Sequence, residues 1–206
     1  MNQILHSKKT PLFILILCLC CLVLLIQSTT AQAKTVYVDD DADPSWYNDT
    51  QVATVSEAIL NASDGDSIFI YDGFYLESTE IVVEINNIDI SGQSKQGTII
   101  HSQYGQSLFV VSLDSVSFSS LTVENASGEG TGISANGVSD LSIDNVIFYN
   151  NFGDIGVSSV TNLSITNVLC SAGAYEAIRL YNIAGSFLFE DNIITVSYTH
   201  LTLPTN

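Results

Sequence analysis

The sequence predicts an all-β protein, a right-handed parallel β-helix with a short N-terminal capping helix. The main observation is a repeat: Asp140 to Phe148 reads DLSIDNVIF, and Asn162 to Cys170 reads NLSITNVLC. Related segments centre on Phe118 and Phe189, so the repeat returns every 22 to 25 residues. Units of this length with short strands stack into a solenoid, with one coil per unit and about 4.8 Å between coils. Leucine-rich repeats share the period, but their leucine–asparagine consensus is absent here.

Alternating apolar residues assign the inward positions of each coil. Ile143 aligns with Ile165, and Phe148 aligns with Cys170. Side chains of a strand alternate between its two faces, so these four residues are predicted to line the interior. A second short apolar run follows in three units: near Ile133, at 155–157 and at 178–180. Each unit is therefore predicted to hold two or more short strands.

A small polar residue recurs two positions after the first inward site of each unit. Four units show it: Ser120, Asn145, Asn167 and Asp191. Such residues tolerate the left-handed backbone conformation that a sharp turn needs, and asparagines in successive coils can bond to one another. The sequence predicts a ladder of turns at this position, with a generic preference for turn residues as the alternative.

Residues 34–63 are predicted to form a strand, an acidic loop and a capping helix, and residues 64–195 to form the coils. Thr54 to Glu57 reads TVSE, a capping box that opens a helix. The apolar face of this helix is formed by Val55, Ala58, Ile59 and Ala62. Such a helix is expected to cover the first coil, because the end of a solenoid is otherwise open.

Residues 1–33 are predicted to be a signal peptide. Two lysines precede an apolar run at 12–26 that is short for a membrane span, and AQA at 31–33 gives a small-x-small cleavage pattern. Cleavage is expected before Lys34 and would leave a secreted or cell-surface protein without a membrane span. The alternative is an uncleaved anchor.

The last residues, Val196 to Asn206, break the coil pattern. They read VSYTHLTLPTN and resemble the translation of a transposon-end adapter used to prepare sequencing libraries. This resemblance implies a non-native tail after about Thr195. The coils are then expected to be truncated, and further coils of the same protein would be the natural partner of the last one.

The composition is strongly acidic. All 22 acidic residues lie between residues 34 and 195, where Lys34, Lys95 and Arg179 are the only basic residues; the whole chain has a formal net charge of −17. Such a surface repels nucleic acid and anionic membranes, so neither is expected as a partner. It suits a salty or calcium-containing exterior.

Three segments resemble exported pectin-lyase-like β-helix proteins. They read YVDDDA at 37–42, VSEAILNASDGDSIFIYDGFYLE at 55–77 and NNIDISGQSKQGTII at 86–100. With the coils, the resemblance covers about residues 35–195 and looks closest to microbial surface proteins with repeats like those of NosD, a periplasmic copper-maturation protein. The superfamily includes polysaccharide lyases, pectinesterases, hydrolases and adhesins, so the resemblance implies the fold and leaves the activity open.

Residues for the chemistry of these proteins are scarce. Copper delivery uses Met, His or Cys ligands, and residues 34–195 contain only His101 and Cys170. A protein resembling pectate lyases would need a basic proton acceptor, and Arg179 is the only arginine. Arg179 is predicted to face outward near Glu176, where its alternative role is a surface ion pair. The catalytic motifs of pectinesterases do not appear, although GFYLE at 73–77 resembles an early segment of that family.

The acidic loop is the candidate metal site. Four carboxylates crowd into it: Asp39, Asp40, Asp41 and Asp43. Oxygen ligands at this density can bind calcium, the one cofactor that the sequence suggests, and the alternative is a solvated loop. Trp46 and Tyr47 follow and either stack on a sugar or pack against the capping helix.

Four Asn-x-Ser/Thr sequons are candidate glycosylation sites in a host that glycosylates exported proteins. They are Asn48, Asn61, Asn125 and Asn162.

Together these observations predict an exported, acidic β-helix surface module that binds, or presents to, a polysaccharide or another cell-surface polymer, without catalysis by this chain. Long solenoids offer repetitive faces that suit extended polymers. One alternative is the N-terminal fragment of a carbohydrate-active enzyme: a polysaccharide lyase, a pectinesterase-like esterase or a glycoside hydrolase. A second alternative is a NosD-like copper-maturation protein.

Overall fold

The computed structural model of the protein describes residues 32–103 and 105–195. Within this part the chain forms one helix, α1 (Val55–Asn61). The strands, numbered along the chain, are β1 (Thr35–Val38), β2 (Gln51–Val52), β3 (Ser67–Ile70), β4 (Gly73–Glu77), β5 (Ile81–Val83), β6 (Ile88–Gly92), β7 (Thr98–Ser102), β8 (Phe109–Val111), β9 (Val116–Ser119), β10 (Thr122–Glu124), β11 (Thr131–Asn136), β12 (Ser139–Asp144), β13 (Ile147–Tyr149), β14 (Gly153–Ser158), β15 (Thr161–Thr166), β16 (Leu169–Ser171), β17 (Ile178–Tyr181), β18 (Ala184–Glu190) and β19 (Ile193–Thr195).

These strands form three parallel sheets that wind into a β-solenoid. The first sheet has the order β18-β15-β12-β9-β6-β3-β1-β2, the second β19-β16-β13-β10-β7-β4 and the third β17-β14-β11-β8-β5. Each coil contributes one strand to each sheet, from β3–β4–β5 in the first coil to β15–β16–β17 in the fifth. The predicted parallel β-helix is confirmed.

The predicted register of the repeat is confirmed at both inward positions. Ile143 pairs with Phe118 on one side and Ile165 on the other, and Ile165 pairs with Phe189. Phe148 pairs with Cys170 in the second sheet. The short apolar runs form strands of the third sheet. The sequence analysis predicted these runs as strands but did not predict that they form a separate sheet.

The core is a set of apolar stacks that run through the coils. In the first sheet one such stack contains Ile68, Ile90, Phe118, Ile143 and Ile165, all fully buried. Burying a side chain of this kind stabilises the fold by about 1.5–3 kcal/mol. The thiol of Cys170 is free and buried in the same core, as predicted.

The predicted turn positions do adopt the left-handed conformation. The φ angles are 56° at Ser120, 56° at Asn145, 53° at Asn167 and 55° at Asp191. The side-chain ladder differs in part from the prediction. Asn145 Nδ2 donates to Ser120 Oγ at 3.1 Å, but Asn167 Nδ2 donates to Asp144 Oδ1 at 2.9 Å because that carboxylate offers a stronger acceptor.

The capping helix begins as the sequence predicts. Thr54 is its N-cap and accepts a hydrogen bond from Glu57 N, while Val55, Ala58 and Ile59 are buried. The helix packs against strands of the first coil. An additional cap comes from β4, where the buried Glu77 carboxylate accepts Val55 N at 2.9 Å and the Ser56 hydroxyl.

Nearly all of the predicted signal peptide and all of the predicted tail lie outside the described residues. Across 32–103 and 105–195, no helix combines the length and apolar character that crossing a membrane requires.

Candidate functional site

The outer face of the first sheet carries two rows of short polar side chains. They occur because Ser, Thr and Asp alternate with the inward apolar residues of the repeat. The register places Asp89, Ser117, Ser142 and Ser164 in one row and Ser91, Ser119, Asp144 and Thr166 in the other. These eight residues are called the polar face. No large side chain interrupts either row.

Hydrogen bonds along the rows orient the side chains of the polar face. Ser117 Oγ donates to the Asp89 carboxylate, and Thr166 Oγ1 donates to Asp144 Oδ1 at 2.6 Å. The bonds from Thr166 and Asn167 hold the pKa of Asp144 below its ordinary value, with a smaller contribution from the charge of Lys95. At neutral pH the Asp144 carboxylate is therefore an ionised acceptor, held in place beside hydroxyl groups.

At its N-terminal end the polar face continues into a group of aromatic side chains. Tyr37 on β1 and Phe69 on β3 occupy the same row as Ser91. The remaining rings come from the residue after β3 and from the loop between β1 and β2. Together the aromatic strip comprises Tyr37, Trp46, Tyr47, Phe69 and Tyr71.

Tyr71 is the centre of the aromatic strip. Its ring lies 5.2 Å from Phe69 and 6.3 Å from Trp46, both edge to face, and stacks on Tyr37 at 6.3 Å. Tyr37 is 37% exposed and the other rings are half-buried, so the strip keeps part of its aromatic surface open to solvent. Edge-to-face contacts of this kind fix ring orientation without covering the rings completely.

Backbone contacts hold the loop of Trp46 and Tyr47 against the sheet. Tyr47 Oη donates to the carbonyl of Asp39 at 3.0 Å. Burial raises the pKa of Tyr47, and the charges of Asp39, Asp40 and Asp41 add to this rise. The ring contacts of Trp46 are with Tyr47 and Tyr71, so the Trp–Tyr pair belongs to the outer face of the sheet.

The acidic loop brings together three of its four predicted metal ligands. Carboxylate oxygens of Asp39, Asp40 and Asp41 all lie within 4.8 Å of one another. The pKa of Asp39 is raised, first by burial and then by its acidic neighbours. Asp43 is not part of this cluster. Its carboxylate accepts both Ser45 N at 2.9 Å and Ser45 Oγ at 2.6 Å, which lowers its pKa.

Calcium binding at this loop stays a prediction. Calcium takes six to eight oxygen ligands, and the cluster offers three carboxylates, of which Asp40 and Asp41 are exposed. A solvated acidic loop has the same geometry.

Arg179 forms the surface ion pair that the sequence analysis gave as its alternative role. Its Nε lies 2.5 Å from Glu176 Oε2, and its side chain is 57% exposed on the third sheet. This places it on a different sheet from the polar face and the aromatic strip.

His101 has both ring nitrogens engaged. Nδ1 lies 2.8 Å from Glu124 Oε1, and Asn125 Nδ2 lies 3.1 Å from Nε2. The ring also contacts Phe74 at 5.1 Å on the outer face of the second sheet.

The sequons lie in two kinds of environment. Asn48 and Asn61 are exposed, in the loop after β1 and at the end of α1. The amide of Asn125 donates to the carbonyl of Ser102 at 2.8 Å, and that of Asn162 donates to Asp140 Oδ1 at 2.8 Å. A glycan on either of these amides would replace a bond between coils.

Sequence reasoning found two of the five aromatic residues of the strip. It singled out Trp46 and Tyr47 but missed Tyr37, Phe69 and Tyr71. The available signal was position: Tyr37 and Phe69 stand at outward places in β1 and β3 beside small polar residues, and Tyr71 directly follows β3. The polar face could also have been found from the sequence, because its short polar residues recur at the outward positions of the repeat.

Comparison with solved structures identifies the architecture. A pectin methylesterase in complex with a hexasaccharide superposes with a TM-score of 0.54 and 16% sequence identity over 66% of this chain and 49% of that chain. The chain has the parallel β-helix fold of pectin methylesterases. At this level of identity the likeness concerns the fold alone, and the chain spans about half the length of that protein.

Two further solved structures match with lower TM-scores. One is a second pectin methylesterase complex with a hexasaccharide, with a TM-score of 0.42, 16% identity and coverage of 66% of this chain and 53% of that chain. The other is pectin methylesterase PemA from Erwinia chrysanthemi, with a TM-score of 0.41, 16% identity and coverage of 69% and 54%. No family model matches the chain, and no curated protein matches it significantly.

Proposed function

We propose that the protein is an exported, acidic β-helix surface module that binds an extended polysaccharide without cleaving it. The observation that carries this proposal is the continuity of the aromatic strip with the polar face. Partly exposed rings offer flat apolar surfaces to the C–H faces of sugars, and the adjoining hydroxyl and carboxylate groups offer partners for sugar hydroxyls. Sites that combine apolar surface with a few placed polar groups are typical of ligand binding.

One solved neighbour supports a polysaccharide as the ligand. The pectin methylesterase with a TM-score of 0.54 was solved with a hexasaccharide, on the same architecture. Export is the part of the proposal that rests on the sequence of residues 1–33. The acidic composition is compatible with it, since strongly charged surfaces remain soluble outside the cell.

The catalytic alternative has less support in the described residues. Arg179 is committed to Glu176, and both nitrogens of His101 are hydrogen bonded. Within the described residues these contacts give each group a structural role, which is what favours the binding proposal over catalysis.

Affinity electrophoresis of the purified protein in gels that contain single polysaccharides tests the proposal. At least one polysaccharide is expected to retard the protein, and Trp46→Ala or Tyr37→Ala is expected to restore its mobility. Tyr181→Ala is the matched control, because Tyr181 is 69% exposed on the third sheet. Retardation that survives both strip variants, or release of new reducing ends or methanol from the polysaccharide, would overturn the proposal.

A further inference from the structure

The charge of the candidate surface selects among polysaccharides. Asp89 and Asp144 lie within the polar face, and the Asp39–Asp41 cluster adjoins the aromatic strip through Tyr47. None of the five rings or eight polar-face residues carries a positive charge. A polyuronate, which has a carboxylate on each sugar, would meet like charge along the whole surface.

The basic residues of the described part offset only a small share of the negative charge of this surface. Lys34 Nζ donates to the carbonyl of Asn61 at 2.9 Å, and Arg179 is paired with Glu176 on the third sheet. Lys95 lowers the pKa of Asp144 and so partly offsets that one carboxylate. Neutral sugars avoid the repulsion and can donate hydroxyl hydrogens to the same carboxylates.

The shape of the surface sets the direction of the ligand. The two rows cross β1, β3, β6, β9, β12 and β15, so they run along the solenoid axis. Five steps of about 4.8 Å make this surface about 24 Å long. Across the strands it is only two outward side chains wide. A chain that follows the axis can therefore use the rings and all the polar rows together, whereas a chain that crosses the strands uses one coil.

The residue types also match a flat ligand. Ser, Thr and Asp have short side chains, so the polar face stays close to the sheet, and its hydroxyl groups recur once per coil. A β-1,4-linked neutral glycan is a straight ribbon with C–H faces for the rings and hydroxyl edges for the polar rows. The length of one of its sugars is comparable to the spacing of the coils.

Resting on the proposed polysaccharide binding, we infer that the ligand is a neutral, ribbon-like β-1,4-linked glycan that lies along the solenoid axis on the aromatic strip and the polar face, at about one sugar per coil. Polyuronates are expected to bind more weakly, because they meet the carboxylates of the same surface.

Isothermal titration calorimetry with oligosaccharides of defined length tests this inference. The neutral probes are the β-1,4-linked oligomers of glucose, mannose and xylose from disaccharide to hexasaccharide, and the anionic probe is hexagalacturonate. At least one neutral series is expected to gain affinity steadily with length, by about tenfold or more from disaccharide to hexasaccharide. Hexagalacturonate is expected to bind at least about tenfold more weakly than that neutral hexasaccharide.

Two substitutions test the two parts of the surface separately, one in the polar face and one in the aromatic strip. Ser142→Gln places a longer side chain in the middle of the polar face and is expected to weaken the hexasaccharide about tenfold while leaving the disaccharide unchanged. Ser134→Gln on the third sheet is the matched control. Tyr71→Ala removes the central ring of the strip and is expected to weaken both ligands. Circular dichroism melting of each variant verifies that the coils remain folded.

The outcomes distinguish this inference from the proposed function. Hexagalacturonate that binds as tightly as the neutral hexasaccharides overturns the neutral ligand and leaves polysaccharide binding in place. Affinity that stops rising at the trisaccharide, or a Ser142→Gln variant that binds like Ser134→Gln, overturns the axial direction. Failure of every neutral series overturns the inference, and the electrophoresis in polysaccharide gels then decides separately whether the protein binds another polysaccharide.

Discussion

The Asp154 carboxylate accepts a hydrogen bond from Asn151 Nδ2 at 3.0 Å, at a place where both residues are fully buried. Asn151 also donates to the carbonyl of Val123 and accepts Ala126 N, so its amide bonds to three residues. The hydrogen bonding of Asp154 is incomplete, because its Oδ2 is buried without a hydrogen bond of normal geometry. Its other polar neighbour is the weakly polar thiol of Cys170.

This environment predicts that the protein loses stability as the pH rises through the titration of Asp154. Burial raises the pKa of Asp154 from 3.8 to about 6, against the opposing hydrogen bonds from Asn151 and Cys170. The folded state therefore binds more protons than the unfolded state between about pH 4 and pH 6, and stability falls over that window. The shift corresponds to about 3 kcal/mol.

Urea denaturation of Asp154→Asn and of the unchanged protein at a series of pH values measures this effect. The free energy of unfolding of the variant, relative to the unchanged protein, is expected to rise by about 3 kcal/mol from pH 4 to pH 7. Asp140→Asn, at an exposed position of β12, is the control and is expected to show no such rise. If the difference in free energy of unfolding between Asp154→Asn and the unchanged protein does not vary with pH, the buried carboxyl is not the source of the pH dependence.

The Glu77 carboxylate is predicted to stabilise the capping helix by its charge as well as by its hydrogen bonds. It accepts Val55 N at 2.9 Å at the N-terminus of α1, where the helix dipole favours a negative charge. Glu77→Gln keeps an acceptor and removes the charge, so it is expected to cost about 1 kcal/mol. Glu77→Ala also leaves buried N–H groups without a partner and is expected to cost about 2–3 kcal/mol.

The measurement is the urea midpoint, with Glu80→Gln as the control because Glu80 is exposed just beyond the same strand. Equal midpoints for the variants at positions 77 and 80 would contradict the capping role of Glu77.

The repeat made the fold predictable, whereas the surface needed the structure. Ile143 and Ile165 could be placed in the core because a strand alternates and the same alternation recurs one coil later. Trp46 and Tyr71 are 25 positions apart, and no local pattern brings their rings to 6.3 Å. Glu77 caps Val55 for the same reason, since the winding of the first coil determines which distant side chains meet.

Asp43 shows how local hydrogen bonds divide a run of aspartates. Four aspartates in one loop suggested one ligand set, but the loop turns after Ala42 and Asp43 bonds locally to Ser45. Short polar side chains in turns satisfy nearby backbone groups before they reach an ion.

Cys170 is predicted to resist alkylation in the folded protein. Its thiol is fully buried, and burial together with the adjacent Asp154 raises its pKa, so little thiolate forms at neutral pH. Iodoacetamide at pH 8 is expected to leave the peptide that contains Cys170 unmodified without denaturant and to modify it completely in concentrated urea. Mass spectrometry of that peptide measures the difference. Rapid labelling of the native protein would show that the coil from β16 opens readily.

The coil register predicts very different effects on stability for aspartate at the adjacent positions 142 and 143. Ile143 is fully buried and Ser142 lies on the polar face, so the same aspartate meets opposite environments at neighbouring positions. Burying an unpaired carboxylate costs several kcal/mol, which is comparable to the whole stability of a domain, and Ile143→Asp is expected to unfold the protein. Ser142→Asp is expected to change the free energy of unfolding by less than about 0.5 kcal/mol.

Ile143→Val, expected to cost about 1 kcal/mol, provides a graded control for packing at the same site. Circular dichroism and urea denaturation measure all three variants, and similar losses for the two aspartate variants would show that the strand does not alternate as the pairing of Ile143 with Phe118 and Ile165 requires.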